Sequence, residues 1–133
     1  MASWGPGNFD SDSALDKLAK WCEFLLQEVG DFYSQSGEID DLSFLRKADG
    51  NVIPNADIVV TLCEHYESYY IGVSSDIVKS WKDIYLRIHD RVFDASKYPS
   101  DIELSEALQR RRIVEDTFNR LYAIASHDEV VDG

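Results

Sequence analysis

The sequence predicts an all-α fold: a single-domain bundle of about four main amphipathic helices. Three observations carry that expectation. Apolar residues recur at three-and-four spacing in four separate stretches, the mark of a helix with one buried face. No stretch alternates apolar and polar residues as a half-buried strand does. Finally, 133 residues that are 44% hydrophobic and 29% charged, with 3 Trp, 7 Tyr and 6 Phe, suffice for one core without disulfides or metals.

Residues 1–11 form an N-terminal aromatic and glycine segment, W-G-P-G-N-F from Trp4 to Phe9. Gly5, Gly7 and Asn8 admit positive φ, so the chain can fold back as a plug and insert Trp4 and Phe9 against the first and last helices. Burying two such rings contributes several kcal/mol, roughly 2 or 3 for each.

The first helix is expected from Asp12 to Val29, where Ala14, Leu15, Leu18, Trp21, Cys22, Leu25, Leu26 and Val29 recur. Asp12 or Ser13 is its expected cap, with Asp16 three residues beyond Ser13, and Gly30 its stop. Residues 30–51 are the least regular part, an irregular connection holding a short helix over about Ile39–Lys47.

The turn Asp49-Gly50-Asn51 precedes a second helix over about Pro54–Tyr70, since proline tolerates a first helical turn. Its inner face is Ala56, Val59, Cys63, Tyr66 and Tyr70, and Gly72 ends it. Ser74 or Ser75 caps the third helix, whose inner stripe is Ile77, Trp81, Ile84, Ile88 and Val92. A fourth spans about Ile102–Ser126 on Leu104, Ala107, Val114, Phe118, Leu121 and Ala125. Residues 127–133 read as a frayed tail.

Charge restricts function. With 13 Lys and Arg against 25 Asp and Glu, the formal net charge is −12. Such a field repels nucleic acid and anionic membranes and attracts a basic protein surface. The chain shows no run of apolar residues able to span a bilayer, and it lacks the basic-then-apolar order of a secretory signal, so a cytoplasmic protein is expected. Cys22 and Cys63 sit among apolar neighbours and are expected as buried, reduced thiols.

Motifs for chemistry fail on spacing, so no catalytic residue, metal or cofactor is expected. G-P-G-N-F-D has Asp10 where a dinucleotide loop needs its third glycine, and no strand precedes it. Aligning Gly50 with the glycine of a calcium loop puts Leu45 and Lys47 at oxygen-ligand positions and Ala56 at the bidentate acid. A di-iron bundle needs Glu three residues before His, yet Leu62, Leu86 and Ile124 precede His65, His89 and His127. All three histidines are expected unliganded, with His65 and His89 toward solvent.

Neither a nucleophile elbow nor a cysteine-protease signature occurs. Glu64, His65, Glu67 and Tyr66, Tyr69, Tyr70 cluster in sequence, but adjacent helical residues point apart. Arg110, Arg111 and Arg112 are read as a salt-bridged face, with Glu106 and Asp116 as partners four residues away from Arg110 and Arg112.

W-G-x-G-x-F-x-x-D-x-A-x-D, present as Trp4, Gly5, Gly7, Phe9, Asp12, Ala14 and Asp16, resembles the N-terminal signature of an uncharacterised bacterial family of small, mostly helical domains of unknown function. The resemblance assigns no reaction, and Trp4, Gly5, Gly7, Phe9 and Asp12 are expected to be structural because the segment's aromatics contribute more buried than exposed. Small acidic bacterial proteins of this kind are often carried beside toxin genes, and by that analogy an immunity protein is expected. It would cover the basic cleft of a cognate toxin such as a nuclease.

Two acidic faces suit such a partner: Asp57, Glu64, Glu67 and Tyr69 on the second helix, and Asp76, Asp83 and Asp90 on the third. The tyrosine favours the first, because aromatics anchor interfaces. The competing readings are a small-molecule or catalytic bundle with a pocket near His65, Tyr66 and Glu67, and a housekeeping scaffold.

Overall fold

The computed structural model describes residues 7–9, 11–94 and 101–132, with side chains for all of these except 101–103 and 128–132. The fold is an all-α single-domain bundle. Its helices are α1 (Asp12–Gln35), α2 (Asp41–Gly50), α3 (Val52–Tyr66), α4 (Ser75–Val92) and α5 (Asp101–Asp132), with a 3-10 turn at Ser36–Glu38. No strand occurs among the described residues.

Helix α3 is the centre, packed against α1, α2 and α5, while α4 closes the bundle against α2 and α5. Helices α1 and α3 run antiparallel: Cys22 Sγ lies 3.9 Å from Cys63 Sγ, and Asn55 Nδ2 donates to the Leu25 carbonyl at 3.0 Å. Both cysteines are fully buried and unbridged, as free thiols in an apolar seam are expected to be. The core gathers Leu26, Val29, Phe44, Val52, Val59, Val60, Val78, Tyr85, Val114, Phe118 and Leu121. Burying each such side chain contributes about 1.5–3 kcal/mol.

Helix α1 corrects the sequence reading at both ends. Its cap is Ser11, whose Oγ accepts from Ala14 N at 3.2 Å, and Asp12 occupies the first turn instead of capping it. At the other end the helix runs through Gly30 to Gln35. Gly30 faces Trp81, and beyond it the Tyr33 hydroxyl donates to the Trp81 carbonyl at 2.8 Å while the two rings stack 5.8 Å apart. Aromatic docking on α4 thus outweighs the helix-ending preference of a glycine.

The expected irregular connection is mostly helical. Its short helix is α2, capped by Asp40, whose carboxylate accepts from Ser43 N at 2.9 Å. Helix α3 begins at Val52, two residues before Pro54, and ends at Tyr66, so Tyr69 and Tyr70 lie beyond it. The stop is Glu67, which takes the left-handed conformation (φ 52°, ψ 42°) while Ser68 N donates back to the Cys63 carbonyl at 3.0 Å. This is the cap geometry for which glycine is the usual residue, and its absence from that position hid the end.

Two helix faces are rotated from expectation. Ser74 caps α4 as expected, but the buried side carries Val78, Trp81, Tyr85, Leu86, Ile88 and His89, leaving Ile77 outside. His89, expected in solvent, is 2% exposed. On α1, Trp21 stands 55% exposed beside Phe24. Helix α5 buries Ala107, Val114, Phe118, Leu121 and Ala125 as read, and its backbone continues past Ser126 to Asp132.

Trp4 and Gly5 lie outside the described residues. Of the plug, Phe9 is half-buried against the core, with its ring 4.3 Å from that of Tyr66 at the end of α3. Gly7 is exposed.

Candidate functional site: an acidic cleft along α1

The acids of the two expected faces separate into paired and unpaired groups. On α3, Glu64 binds Arg120 of α5 through both oxygens, with Arg120 Nε donating to Oε2 at 3.1 Å and Nη2 to Oε1. That bond holds the Glu64 carboxyl below its ordinary range. Arg120 also meets Asp116, and Asp57 adds to the negative surroundings that keep its guanidinium charged. On α4, Asp90 is gripped by Arg111 at 2.7 and 3.2 Å, which lowers its pKa, while Asp76 and Asp83 stay exposed without an ion pair among the described residues.

Two arginines of the Arg110–Arg112 run, Arg110 and Arg111, are salt-bridged, and they reach acids on other helices as well as one on α5. Arg110 meets Asp49 of α2 at 3.1 Å, and Arg111 adds Glu115 at 3.2 Å to its bond with Asp90. The expected four-residue pairs from Arg110 to Glu106 and from Arg112 to Asp116 are not the ones formed.

His89 belongs to the same side. Its ring lies 4.5 Å from Phe93 and 6.2 Å from Tyr85, and its buried Nε2 has no hydrogen-bond partner. Burial lowers its pKa. Tyr85 donates to Asp49 Oδ1 at 2.7 Å, and burial, reinforced by that carboxylate, raises the phenol well above its ordinary range.

The remaining predicted residues, Glu67 and Tyr69, leave α3 and join a different surface. The 67–74 loop is laid along α1 and forms two clefts with it. The first, about 430 Å³, is lined by Asp12, Leu15, Asp16 and Ala19 of α1 with Glu67, Ser68, Tyr69 and Tyr70 of the loop. The second, about 620 Å³, places Glu23, Gln27 and Asp31 above an apolar floor of Leu26, Ile71 and Trp81. Gly72 brings the loop close to α1 at the second cleft: its φ is +70°, and a Cβ there would fall 2.8 Å from Glu23 Cγ.

In the first cleft the Tyr69 ring is braced by His127, stacked 3.8 Å away, while Tyr70 is 67% exposed. None of Asp12, Asp16 or Glu67 is held in an ion pair among the described residues. The arrangement suits a cationic side chain, with carboxylates for its charge and phenol rings for its stem and face. Asp16 and Tyr70 were not among the predicted site residues. Only the unrecognised bend at Glu67, which turns the chain back along α1, brings them together.

His65 remains exposed with its ring edge against Tyr66, and the Tyr66 ring also meets Phe9, while Glu67 lines the first α1 cleft. Among the described residues no group of three or more His, Cys, Asp or Glu has metal-holding geometry. No described helix is long and apolar enough to cross a membrane. No protein family, curated protein or solved structure matches the chain.

Proposed function

We propose that this chain is an acidic protein-binding module that acts as an immunity protein, neutralising a bacterial toxin by covering its basic active cleft. The observation that carries the reading is the first α1 cleft, where Asp12, Asp16 and Glu67 share a surface with Tyr69 and Tyr70 and no cation among the described residues is paired with them. On the α5 flank Glu64, Asp90 and Asp49 are answered by the chain's own arginines, whereas in this reading the acids of the cleft are left for a partner. A basic partner, such as a nuclease whose cleft must attract phosphate, is drawn in by the −12 charge and anchored by the tyrosines. In this reading the protein works in the cytoplasm, without a cofactor and without binding nucleic acid or membrane.

Co-expression with the product of the adjacent gene, followed by co-purification, tests the reading. A complex is expected whose association slows as salt rises. Charge reversal by Asp16→Lys with Glu67→Lys should slow association about tenfold or more, and Tyr70→Ala should weaken binding by a similar factor. Glu64→Gln and Asp90→Asn should leave it nearly unchanged. A complex indifferent to the first three changes removes this cleft from consideration.

A further inference from the structure

The outward face of α1 carries a stripe that none of the described elements covers. At about 100° per residue, Lys17, Trp21, Phe24, Glu28 and Asp31 fall within roughly 80° of one another, with Lys20 on the flank. Trp21 and Phe24 are 55% and 53% exposed, with ring centroids 6.2 Å apart in an edge-on pair. Together with Lys17 and Lys20 they line a shallow hollow of about 320 Å³. Two large adjacent aromatics standing in water are unusual for a surface without a partner.

We infer that this face joins two copies of the chain in an antiparallel α1–α1 pair. Read along the helix, the stripe runs cation, aromatic, anion: Lys17 and Lys20, then Trp21 and Phe24, then Glu28 and Asp31. Such an order is complementary to itself when reversed. A two-fold axis between Trp21 and Phe24 sets each ring against the other ring type of the second copy. Lys17 lies four residues before Trp21, and Glu28 four residues after Phe24. Lys17 therefore meets Glu28 of the partner subunit, with Asp31 of the partner subunit one turn away.

The same two contacts repeat on the other side of the axis, as an isologous interface requires. Glu28 is already oriented, because Asn55 Nδ2 donates to its Oε2 at 2.9 Å. A uniformly basic partner would be repelled by the lysine half of this stripe, and a uniformly acidic one by the Glu28 and Asp31 half. A second copy satisfies both. None of the stripe residues lines the first α1 cleft, so pairing here leaves that cleft open, while Asp31 also borders the second.

Sedimentation velocity of the full chain over a micromolar concentration series tests the inference. The expected result is a species of twice the 15.2 kDa chain mass at low salt. Trp21→Ala with Phe24→Ala should raise the dissociation constant about a hundredfold, since central aromatics dominate interfaces. Lys17→Glu with Lys20→Glu should weaken self-association about tenfold or more, and Glu28→Lys with Asp31→Lys likewise. Mixing those two charge variants should restore a dimer, because each then opposes the other's sign.

All of these positions are exposed, and circular dichroism should show unchanged helix content. A wild-type chain that stays at 15.2 kDa throughout overturns the inference. So does a dimer that survives the aromatic changes, or a pair of charge variants that fails to recombine.

Discussion

The α5 flank and the α1 flank of the bundle both expose carboxylates, and they treat them in opposite ways. Against α5, arginines reach across to other helices: Arg120 to Glu64 on α3, Arg111 to Asp90 on α4 and Arg110 to Asp49 on α2. Along α1, Asp12, Asp16, Glu23 and Asp31 line clefts with no arginine among their linings. The net charge alone cannot distinguish these cases. What separates them is where the arginines sit, and three of them occupy consecutive positions on one helix. An acid opposite α5 is part of the framework, and an acid on α1 remains available.

The largest expected effect contrasts what lies beneath each flank. Phe118 of α5 is fully buried in the core, so Phe118→Ala should cost about 3–5 kcal/mol by urea denaturation. Trp21→Ala on the outer face of α1 should change the stability of the single chain by less than about 0.5 kcal/mol, although it removes a larger ring. Comparable losses from both would mean that the α1 face is packed after all.

Two glycines on the α1 side should respond with opposite signs. Gly72→Ala meets both the left-handed φ and the Glu23 side chain, and should destabilise by more than about 1 kcal/mol. Gly30→Ala places its Cβ at an ordinary 3.7 Å from Trp81 Cζ2 within a helix, and should stabilise by about 0.5–1 kcal/mol. Thermal melts of the two variants check both signs. At Glu67 the same logic separates stability from binding: Glu67→Gly should gain about 1 kcal/mol by relieving the left-handed residue, yet weaken capture of a basic partner.

Acid should open the α5 flank in two stages. Burial depresses the folded-state pKa of His89 below its ordinary 6.5, so the folded state prefers the neutral ring. Stability is then whole above the unfolded pKa and is lost as pH falls below it. Glu64 and Asp90, also depressed in the fold, withdraw their contribution only at lower pH, in the carboxylate range. In melts recorded across pH, His89→Leu should abolish the first decline and keep the second. A single ion pair also carries little: Glu64→Gln should cost less than about 1 kcal/mol, because both partners are partly solvated.

The bundle class, the inner face of α5 and the cap of α4 at Ser74 were legible because each depends on local spacing or a single side-chain oxygen. The passage of α1 through Gly30 was not, since it rests on Tyr33 and Trp81 meeting across 48 positions of sequence. His89 was misplaced for a related reason: the inner face of α4 is wide enough to bury Tyr85 and His89 together, against α2 and α5, and periodicity marks only its centre. Of the candidate site, Glu67 and Tyr69 were found, but as helical residues. A left-handed glutamate at a helix end leaves no mark in composition, so their true neighbours, Asp12, Asp16 and Tyr70, became visible only in three dimensions.

The two thiols facing each other between α1 and α3 offer a clock. Cys22 and Cys63 are sealed from water, and the hydrogen bond to Cys22, together with burial, holds the Cys63 thiol well above its usual range. A small alkylating reagent can consume them only during moments when the seam parts. With reagent in excess, the rate of that consumption counts openings directly, with no label and no denaturant. Compared with amide exchange on α5, it would tell whether the flank that keeps its acids free is also the first to breathe.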